Sequence, residues 1–159
     1  LRKSKFHLFF SEWFGSAQGT PFFKINNNNA VYVLGASNTY YYVNSPEILR
    51  AYGWGETHTK ITSYPQSYIS SKTYAGNLPN FVRFEGAEIY IANKGLRRHV
   101  PSVALLNHYG LDVGDEAKLP SSYISFLKEA PKLTQVARNL SNGRIYLVED
   151  GRKRHFTGP

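Results

Sequence analysis

The chain has 159 residues, of which 42% are hydrophobic and 19% are charged, a composition that suits a globular domain or a short array of repeats and excludes a disordered chain. It contains no cysteine, which excludes a disulfide scaffold, a cysteine-based zinc site and a thiol nucleophile. The net charge is +8, but residues 1–80 carry 7 basic and 3 acidic side chains and residues 81–159 carry 12 and 8, so the charge is not gathered in a basic tail. A surplus of this sign favours polyanionic partners, such as nucleic acid or anionic wall polymers.

The first 21 residues do not share the pattern that organises the rest of the chain. Segment Phe6–Phe14 has apolar side chains on one helical face, which indicates a linker or a capping helix over 1–21. The longest apolar stretch, Phe6–Phe10, is far shorter than the roughly 20 residues that a spanning helix needs, so no membrane span is predicted. Because the sequence has no methionine, Leu1 is not expected to be a translational start, and we expect the chain to be a trimmed or internal part of a longer protein.

An internal repeat with a period of about 57 residues organises the remaining chain. Val31–Leu34 aligns with Ile89–Ala92 and with Ile145–Val148, and a glycine follows the last two segments at Gly95 and Gly151. Matches that keep their order over so many positions indicate a true repeat. The predicted units are 22–80, 81–134 and an incomplete third unit over 135–159.

Each unit is predicted to contain a β-hairpin, a short helix and a connector. In the second unit, strands over 88–92 and 96–100 flank the turn Asn93-Lys94-Gly95, which is typical of a hairpin. In the first unit, Ser45-Pro46-Glu47 provides a helix cap and Gly53 a left-handed stop, so a helix of about two turns follows the hairpin. We therefore predict an α+β fold class, built from tandem repeats of a β-hairpin with a short helix and a connector.

The third unit lacks the helix of the other two. The residues equivalent to Ser45–Tyr52 and Ser102–Tyr109 are absent after Pro159. Because that helix supplies the apolar cover for the hairpin, the third hairpin should either pack on a neighbouring unit or expose an apolar face, and we expect the first. The missing cover is expected to come from a continuation of the native chain or from the aromatic face of residues 1–21, formed by Phe6, Phe9, Phe10 and Trp13.

Common catalytic and metal-binding motifs are absent from the sequence, including the Gly-x-Ser-x-Gly elbow, the Gly-x-x-x-x-Gly-Lys phosphate loop and His-Glu-x-x-His. His99 and His155 occupy equivalent repeat positions at which the first unit has Tyr42, which argues against a metal ligand or a general base. The acidic cluster over 112–116 is interpreted as a solvated turn. The sequence therefore predicts a non-catalytic chain without cofactor or metal.

The second hairpin strand of each unit carries the candidate binding residues. Basic side chains fill this strand in the second and third units, and tyrosines fill it in the first. Arginine binds phosphate or carboxylate with a fork of donors, and aromatic rings stack on sugars or bases, so the pattern favours an anionic or carbohydrate ligand. The alternative interpretation is an edge strand that its charges keep soluble. The candidate ligand-binding residues are Tyr40, Tyr41, Tyr42, Arg97, Arg98, His99, Arg152, Arg154 and His155.

The segments Gly19–Lys24 and Ile145–Phe156, with the pattern Tyr-x-x-x-x-Gly-x-x-Arg that begins at Tyr146, carry a family resemblance. They resemble the aromatic and basic surface repeats appended to exported peptidoglycan hydrolases of small-genome, host-attached bacteria. The resemblance covers about residues 15–159 and implies a non-catalytic extracellular or cell-surface module that binds a glycan or an anionic wall polymer. The first unit departs from the pattern, because Tyr40–Tyr42 replace the basic residues.

Three other functions are consistent with the sequence. A nucleic-acid-binding module would explain the basic and tyrosine-rich strands and predicts steep salt dependence. A fragment of a cell-wall hydrolase would require carboxylates or histidines that converge in a pocket, a pattern that the sequence does not contain. A structural spacer would bind no ligand.

Overall fold

Strands make up most of the regular structure. The computed structural model describes residues 21–53, 61–139 and 141–157, and in these ranges it has 13 strands in three sheets and four helices of at most 6 residues. Strands account for 41% of the described residues and helices for 17%. The predicted α+β class is therefore wrong, and the chain has a β-rich fold. The predicted linker or capping helix lies, up to residue 20, outside the described residues.

Five strands form the first sheet, and two short helices lie between them in the chain. The elements are β1 (Phe22–Ile25), β2 (Val31–Leu34), β3 (Thr39–Val43), α1 (Pro46–Ala51), β4 (Thr62–Tyr64), α2 (Ser67–Ser70) and β5 (Thr73–Asn77). The strand order is β4-β1-β2-β3-β5. The three central strands form an antiparallel meander, β4 pairs in parallel with β1, and β5 pairs in parallel with β3.

The second sheet has the same succession of elements. They are β6 (Phe81–Phe84), β7 (Ile89–Asn93), β8 (Leu96–Val100), α3 (Val103–His108), β9 (Ala117–Leu119), a 3₁₀ helix (Ser121–Phe126) and β10 (Lys128–Ala130). The strand order is β10-β8-β7-β6-β9, with β9 parallel to β6 and β10 parallel to β8. The two five-stranded sheets thus have the same topology.

The third sheet has three antiparallel strands, with β12 in the centre. They are β11 (Val136–Arg138), β12 (Ile145–Glu149) and β13 (Arg152–His155). They correspond to the meander of the other two sheets, without the helix and the edge strands that follow it there.

Short edge strands explain why the predicted fold class was wrong. Strands β4, β9 and β10 have three residues each, which is too short to show an alternating pattern, and the sequence interpretation assigned these segments to connectors. The hairpins over 31–43 and 88–100 are present as predicted. Each of the first two sheets is nevertheless a five-stranded unit rather than a hairpin with a helix. The proposed unit boundaries stay a prediction.

Two of the hairpins close with the same two-residue turn. Lys94 and Gly95 have φ of 51° and 74°, and Asp150 and Gly151 have φ of 48° and 68°. Positive φ at both central residues is typical of a type I′ turn, whose twist matches that of the flanking strands. Glycine adopts this backbone without strain, which explains why it stands at the second position of both turns.

Helices α1 and α3 each cover one face of their own sheet. In both, a serine caps the first turn by accepting a hydrogen bond from the backbone N–H three residues later (Ser45 and Ser102). Each helix also contains a leucine, Leu49 or Leu106, that is only 1% exposed. Because a helix of six residues is unstable alone, burial of this leucine is what holds the helix on the sheet.

The main hydrophobic core joins the first sheet to the second. Neighbouring residues of a strand point to opposite faces, so Phe22 lies in the main core with Leu49 while Phe23 lies on the other face of the first sheet. In the second sheet Val82 faces the main core, and Phe81 faces a separate cluster. The helix-covered face of one sheet therefore packs on the opposite face of the next.

Two glycine pairs lie where a helix meets the next hairpin. A methyl carbon built on Gly53, which follows α1, would lie 2.7 Å from the Cα atom of Gly95, and one built on Gly110, which follows α3, would lie 3.1 Å from that of Gly151. In both pairs the N–H of the turn glycine donates to a carbonyl at the end of the preceding helix, at 3.0 and 2.9 Å. The third hairpin contacts the preceding unit through Gly151, but Ile145 and Phe156 stay 44% and 52% exposed, so the prediction that a neighbouring unit covers its apolar face is wrong.

A tyrosine reinforces each of these joints. The hydroxyl of Tyr52 donates to the Pro79 carbonyl at 2.9 Å, and the hydroxyl of Tyr109 donates to the Thr134 carbonyl at 2.7 Å. Both acceptors lie two residues before the first strand of the next sheet. Burial raises the pKa of both tyrosines, so the hydroxyls stay protonated donors at neutral pH.

Candidate functional site

A network of tyrosine rings lies on the face of the first sheet that points away from the main core. Tyr32 on β2 lies 5.8 Å from both Tyr40 and Tyr42 on β3, and Tyr40 lies 5.5 Å from Tyr74 on β5, measured between ring centroids. Register places them together, because Tyr32 pairs with Tyr42 and Tyr40 pairs with Tyr74. The sheet thus holds four tyrosines side by side on three adjacent strands.

Two further tyrosines extend this network across the opposite edge of the sheet. Tyr64 on β4 stacks on Tyr68 on α2, with centroids 4.2 Å apart and planes 12° apart. Phe23 links both groups, since its ring lies 5.9 Å from Tyr32 and 5.2 Å from Tyr68. We call this surface the tyrosine face; its members are Tyr32, Tyr40, Tyr42, Tyr64, Tyr68 and Tyr74.

The tyrosine face offers flat rings beside polar groups. Tyr74 is 53% exposed, and the other five tyrosines are half-buried. The Lys72 ammonium lies 5.5 Å above the ring of Tyr68 and bonds to Asn38 Oδ1, while the Tyr74 hydroxyl donates to Asn77 Oδ1.

Two tyrosines of this face have a raised pKa, which keeps their hydroxyls uncharged. Burial, with Tyr40 and Tyr42 nearby, raises the pKa of Tyr32, and burial raises the pKa of Tyr68. Both hydroxyls therefore stay neutral at physiological pH. Rigid rings with neutral hydroxyls and neighbouring amides can stack on apolar sugar faces and bond to sugar hydroxyls.

The three consecutive tyrosines predicted to bind ligand divide between two faces. Tyr40 and Tyr42 belong to the tyrosine face. Tyr41 points the other way into the main core, where it is 8% exposed and its hydroxyl oxygen accepts a hydrogen bond of 3.0 Å from the Lys118 N–H. Tyr41 therefore connects the first sheet to β9 of the second.

Arg97 and Arg98, predicted as ligand-binding residues, donate to backbone carbonyls of their own unit. The Arg97 guanidinium bonds to the carbonyls of Ile124 and Leu127 at the end of the 3₁₀ helix, and its side chain is 17% exposed. The Arg98 guanidinium donates to the Pro131 carbonyl at 3.0 Å. Both interactions hold the chain that follows the 3₁₀ helix against β8.

The predicted histidines each lie opposite a tyrosine of the neighbouring strand. His99 is 5.7 Å from Tyr90 and His155 is 5.3 Å from Tyr146, as ring centroids. Tyr42 stands in the same relation to Tyr32 in the first sheet. The cross-strand ring pair therefore recurs in all three sheets.

The remaining predicted residues, Arg152 and Arg154, lie on β13 and are exposed. Arg154 is 3.5 Å from a Glu149 carboxylate oxygen, and its side chain is 78% exposed. Lys153 points to the other face, where its ammonium lies 5.4 Å from the centroid of the Tyr146 ring. All four residues of β13 are basic or histidine and are exposed, so this strand presents a basic surface.

The nine predicted residues therefore do not form one cluster, because they lie on three different sheets. The structure brings Tyr40 and Tyr42 together with tyrosines that the sequence analysis had not selected. Tyr32 could have been found from the alternation in Val31–Leu34, because neighbouring strand residues point to opposite faces and Tyr32 therefore points away from the core that buries Val31 and Val33. Tyr74 could not, because strand β5 itself had not been recognised.

One acidic side chain lies in a different environment from the solvated turn that the sequence suggested. Glu116 is 6% exposed, and its carboxylate accepts from the Arg83 guanidinium at 2.9 Å and from the Gly114 N–H at 2.7 Å. Burial opposes the charge, but these bonds lower the pKa of Glu116 overall. Within the described ranges, no three His, Cys, Asp or Glu residues are placed to hold a metal ion.

Comparisons with known proteins add little. No protein family and no curated protein matches the chain. Among solved structures, it is similar to a chain described as the structure of the periplasmic assembly from the ESX-5 inner membrane complex, with 12% sequence identity and a TM-score of 0.30. The alignment covers 86% of this chain and 52% of that chain, so it spans about half of the latter, and at this TM-score it carries no argument. Among the helices of the described residues, none is long and apolar enough to cross a membrane.

Proposed function

We propose that the chain is a non-catalytic attachment module that acts outside the cell and binds a surface glycan or wall polymer on its tyrosine face. The observation that carries this proposal is the network of six tyrosines, with Phe23 among them, on one face of the first sheet. Soluble domains normally bury aromatic rings or scatter them, whereas a contiguous aromatic surface is typical of a binding site.

The tyrosine face suits a glycan because its rings are fixed before the ligand arrives. The rings of Tyr32 and Tyr40 pack in a T-shaped pair and those of Tyr40 and Tyr74 in a tilted pair on adjacent strands, so little side-chain entropy is lost on binding. The polar groups of Asn38, Lys72 and Asn77 lie beside the rings and can bond to hydroxyl or carboxylate groups.

The basic strand β13 supports an additional contact with an anionic polymer. Arg152, Arg154 and His155 are exposed, and the net charge of the chain is +8. An anionic wall polymer, such as a teichoic acid, would gain from these charges while the glycan engages the tyrosine face.

A nucleic-acid-binding module is the second candidate, and the observation that favours it is the same exposed basic strand. Tyrosines can stack on bases as well as on sugars. This function predicts that affinity falls steeply with salt, because each phosphate contact releases counterions.

The proposal predicts that Tyr40→Ala with Tyr74→Ala weakens retention on purified bacterial cell walls roughly tenfold, the loss expected from removing stacked aromatic contacts. Retention is measured by co-sedimentation with walls before and after acid extraction of teichoic acid. Tyr41→Phe is the control, since Tyr41 lies on the same strand as Tyr40 but points into the main core, away from the tyrosine face. Its wall retention should stay at the wild-type level.

Three outcomes would contradict the proposal. Unchanged retention of the double variant would remove the tyrosine face as the binding site. Loss of retention only in Arg152→Gln with Arg154→Gln would assign binding to the basic strand. Tighter binding to DNA than to walls, with a steep salt dependence, would support the nucleic-acid function.

A further inference from the structure

Lys72 lies on the tyrosine face as a cation without a counter-ion. Its ammonium lies 5.5 Å from the centroid of the Tyr68 ring and 3.4 Å from Asn38 Oδ1, and the residue is half-buried. Among the described residues, no carboxylate lies within ion-pair distance of this ammonium. An ammonium that is partly removed from water is stabilised by an anion, so Lys72 is a candidate anion-binding group.

The first sheet supplies no acidic residue to this face. Its five strands and α2 come from residues 21–45 and 61–80, which contain no aspartate and no glutamate. Glu47 lies on α1, which covers the other face of the sheet, and it pairs with Arg50. Since the sheet itself carries no negative charge to offset Lys72, it favours an anion at the tyrosine face.

The counterpart of Lys72 in the second sheet is a buried leucine. Lys72 is the last residue before β5 and Leu127 the last before β10, and these two strands pair in parallel at the same edge of their sheets. Leu127 is 2% exposed and lies in the main core. At the opposite edge, Tyr64 on β4 stands where β9 has Leu119, which is also 2% exposed. Where the second sheet packs on its neighbour, the first sheet has a cation and a tyrosine, which suit a polar ligand better than an apolar interface.

Asn38 fixes the position of the ammonium. Its Nδ2 donates to the Ser71 carbonyl at 2.8 Å, and its Oδ1 accepts from Lys72. Its backbone carbonyl accepts from the Thr73 N–H at 3.1 Å, so the chain on both sides of Lys72 is tied to the residue that precedes β3. The cation is therefore held in place before a ligand arrives, which lowers the entropy cost of binding.

We propose that Lys72 gives the tyrosine face specificity for an acidic glycan, because its ammonium binds a carboxylate or phosphate group of the polymer while Tyr40 and Tyr74 stack on the sugars. This inference rests on the proposed glycan binding by the tyrosine face, and it adds the charge of the ligand and the residue that recognises it. Both anions present oxygen acceptors to an ammonium, so the same geometry serves either. A neutral sugar stacks on the rings without this ionic contact.

The test compares Lys72→Gln with Lys132→Gln, which removes the same charge from an exposed lysine after β10. Retention is measured on three preparations of purified bacterial cell walls: untreated, with carboxylates amidated by carbodiimide and methylamine, and with phosphate polymers extracted by acid. We expect Lys72→Gln to weaken retention on untreated walls about fivefold, the effect of one partly buried ion contact, and Lys132→Gln to leave it unchanged. The difference between Lys72→Gln and the wild type should disappear on the preparation that lacks the bound anion, which distinguishes carboxylate from phosphate.

Two further measurements separate recognition from structure. Lys72→Arg keeps the positive charge and the contact with the Tyr68 ring, so it should retain wall binding within about twofold of the wild type. The thermal melt of Lys72→Gln should stay within about 3 °C of the wild type, since the variant removes no buried apolar group.

Three outcomes would overturn the role of Lys72. They are wild-type retention of Lys72→Gln while the double variant of Tyr40 and Tyr74 still loses binding, an equal loss in Lys132→Gln, and a loss in Lys72→Gln that persists on both treated walls. The first of these would leave the proposed glycan binding intact. Wild-type retention of both Lys72→Gln and the double tyrosine variant would instead overturn the proposed function, and this inference with it.

Discussion

Arg97 shows how a charged side chain can be part of the framework. It lies on a strand rich in arginine and histidine, yet its guanidinium bonds to two carbonyls at the end of the 3₁₀ helix and to the Glu129 carboxylate. Leu127, which provides one of those carbonyls, is 2% exposed. Arg97 therefore satisfies acceptors that would otherwise lie unpaired in a partly buried place.

Arg97→Met is expected to lower the free energy of unfolding by about 2 kcal/mol, because it keeps the apolar stem and leaves both carbonyls without a donor. Arg97→Lys should lose less, since an ammonium can still reach one acceptor. Arg152→Met is the matched control on an exposed strand and should change stability by under about 0.5 kcal/mol. Urea denaturation monitored by tyrosine fluorescence measures all three, and equal midpoints for the two methionine variants would refute this role of Arg97.

At the joint between neighbouring sheets, the backbone after a helix lies against the backbone of the next hairpin turn, and both have a glycine at the point of contact. Gly53 and Gly95 meet at the end of α1, and Gly110 and Gly151 meet at the end of α3. Each helix must end, and each hairpin must turn, at a residue that tolerates positive φ. Glycine at these positions therefore serves both the local turn and the contact between neighbouring sheets.

Gly53→Ala is expected to destabilise the chain by about 2 kcal/mol more than Gly143→Ala. Both residues have similar positive φ, +79° and +71°, so both alanines suffer the same backbone strain of about 1 kcal/mol. Only at Gly53 does the new methyl group meet backbone atoms, 2.7 Å away in Gly95. Chemical denaturation checks the difference, and equal losses in the two variants would show that the glycine joint can relax at no cost.

The sequence carried enough information to predict the hairpins and helices but not the sheets. Alternating residues and turn glycines predicted β7 and β8, and Ser45 with Pro46 predicted α1, because these signals are local. Strand β9 has three residues and forms only by parallel pairing with β6, a contact that lies more than 30 residues away along the chain. The framework role of Arg97 could not be predicted either, because the carbonyls that it binds belong to residues about 30 positions further along the chain.

Only the part of the candidate site that lies within one strand could be predicted, because only local patterns are visible in the sequence. Tyr40 and Tyr42 could be selected because they stand beside each other in the chain. Their neighbours Tyr64 and Tyr68 reach the tyrosine face only through the edge strand β4 and helix α2. A ligand surface assembled from several strands therefore remains invisible until the sheet order is known.

The second sheet is much more deeply buried than the third. The central strands of the second sheet contain Phe81, Val82 and Ala92, which are at most 1% exposed. No residue described in 135–157 belongs to the buried core, and Val136, Ile145 and Phe156 are each more than 40% exposed. Since burial supplies most of the stabilising free energy, local stability should fall from the second sheet to the third.

Native-state hydrogen exchange should reveal this gradient directly. Amides of β12 are expected to exchange through local openings of the third sheet, with protection on the order of 100-fold below that of β7, whose openings require loss of the main core. Exchange from β12 should depend little on added urea, because a local opening exposes little new surface, whereas exchange from β7 should depend on it as strongly as global unfolding does. Equal protection and equal urea dependence in β7 and β12 would instead mean that the glycine joint at Gly110 and Gly151 couples the third sheet fully to the second, so that the array unfolds as one cooperative unit.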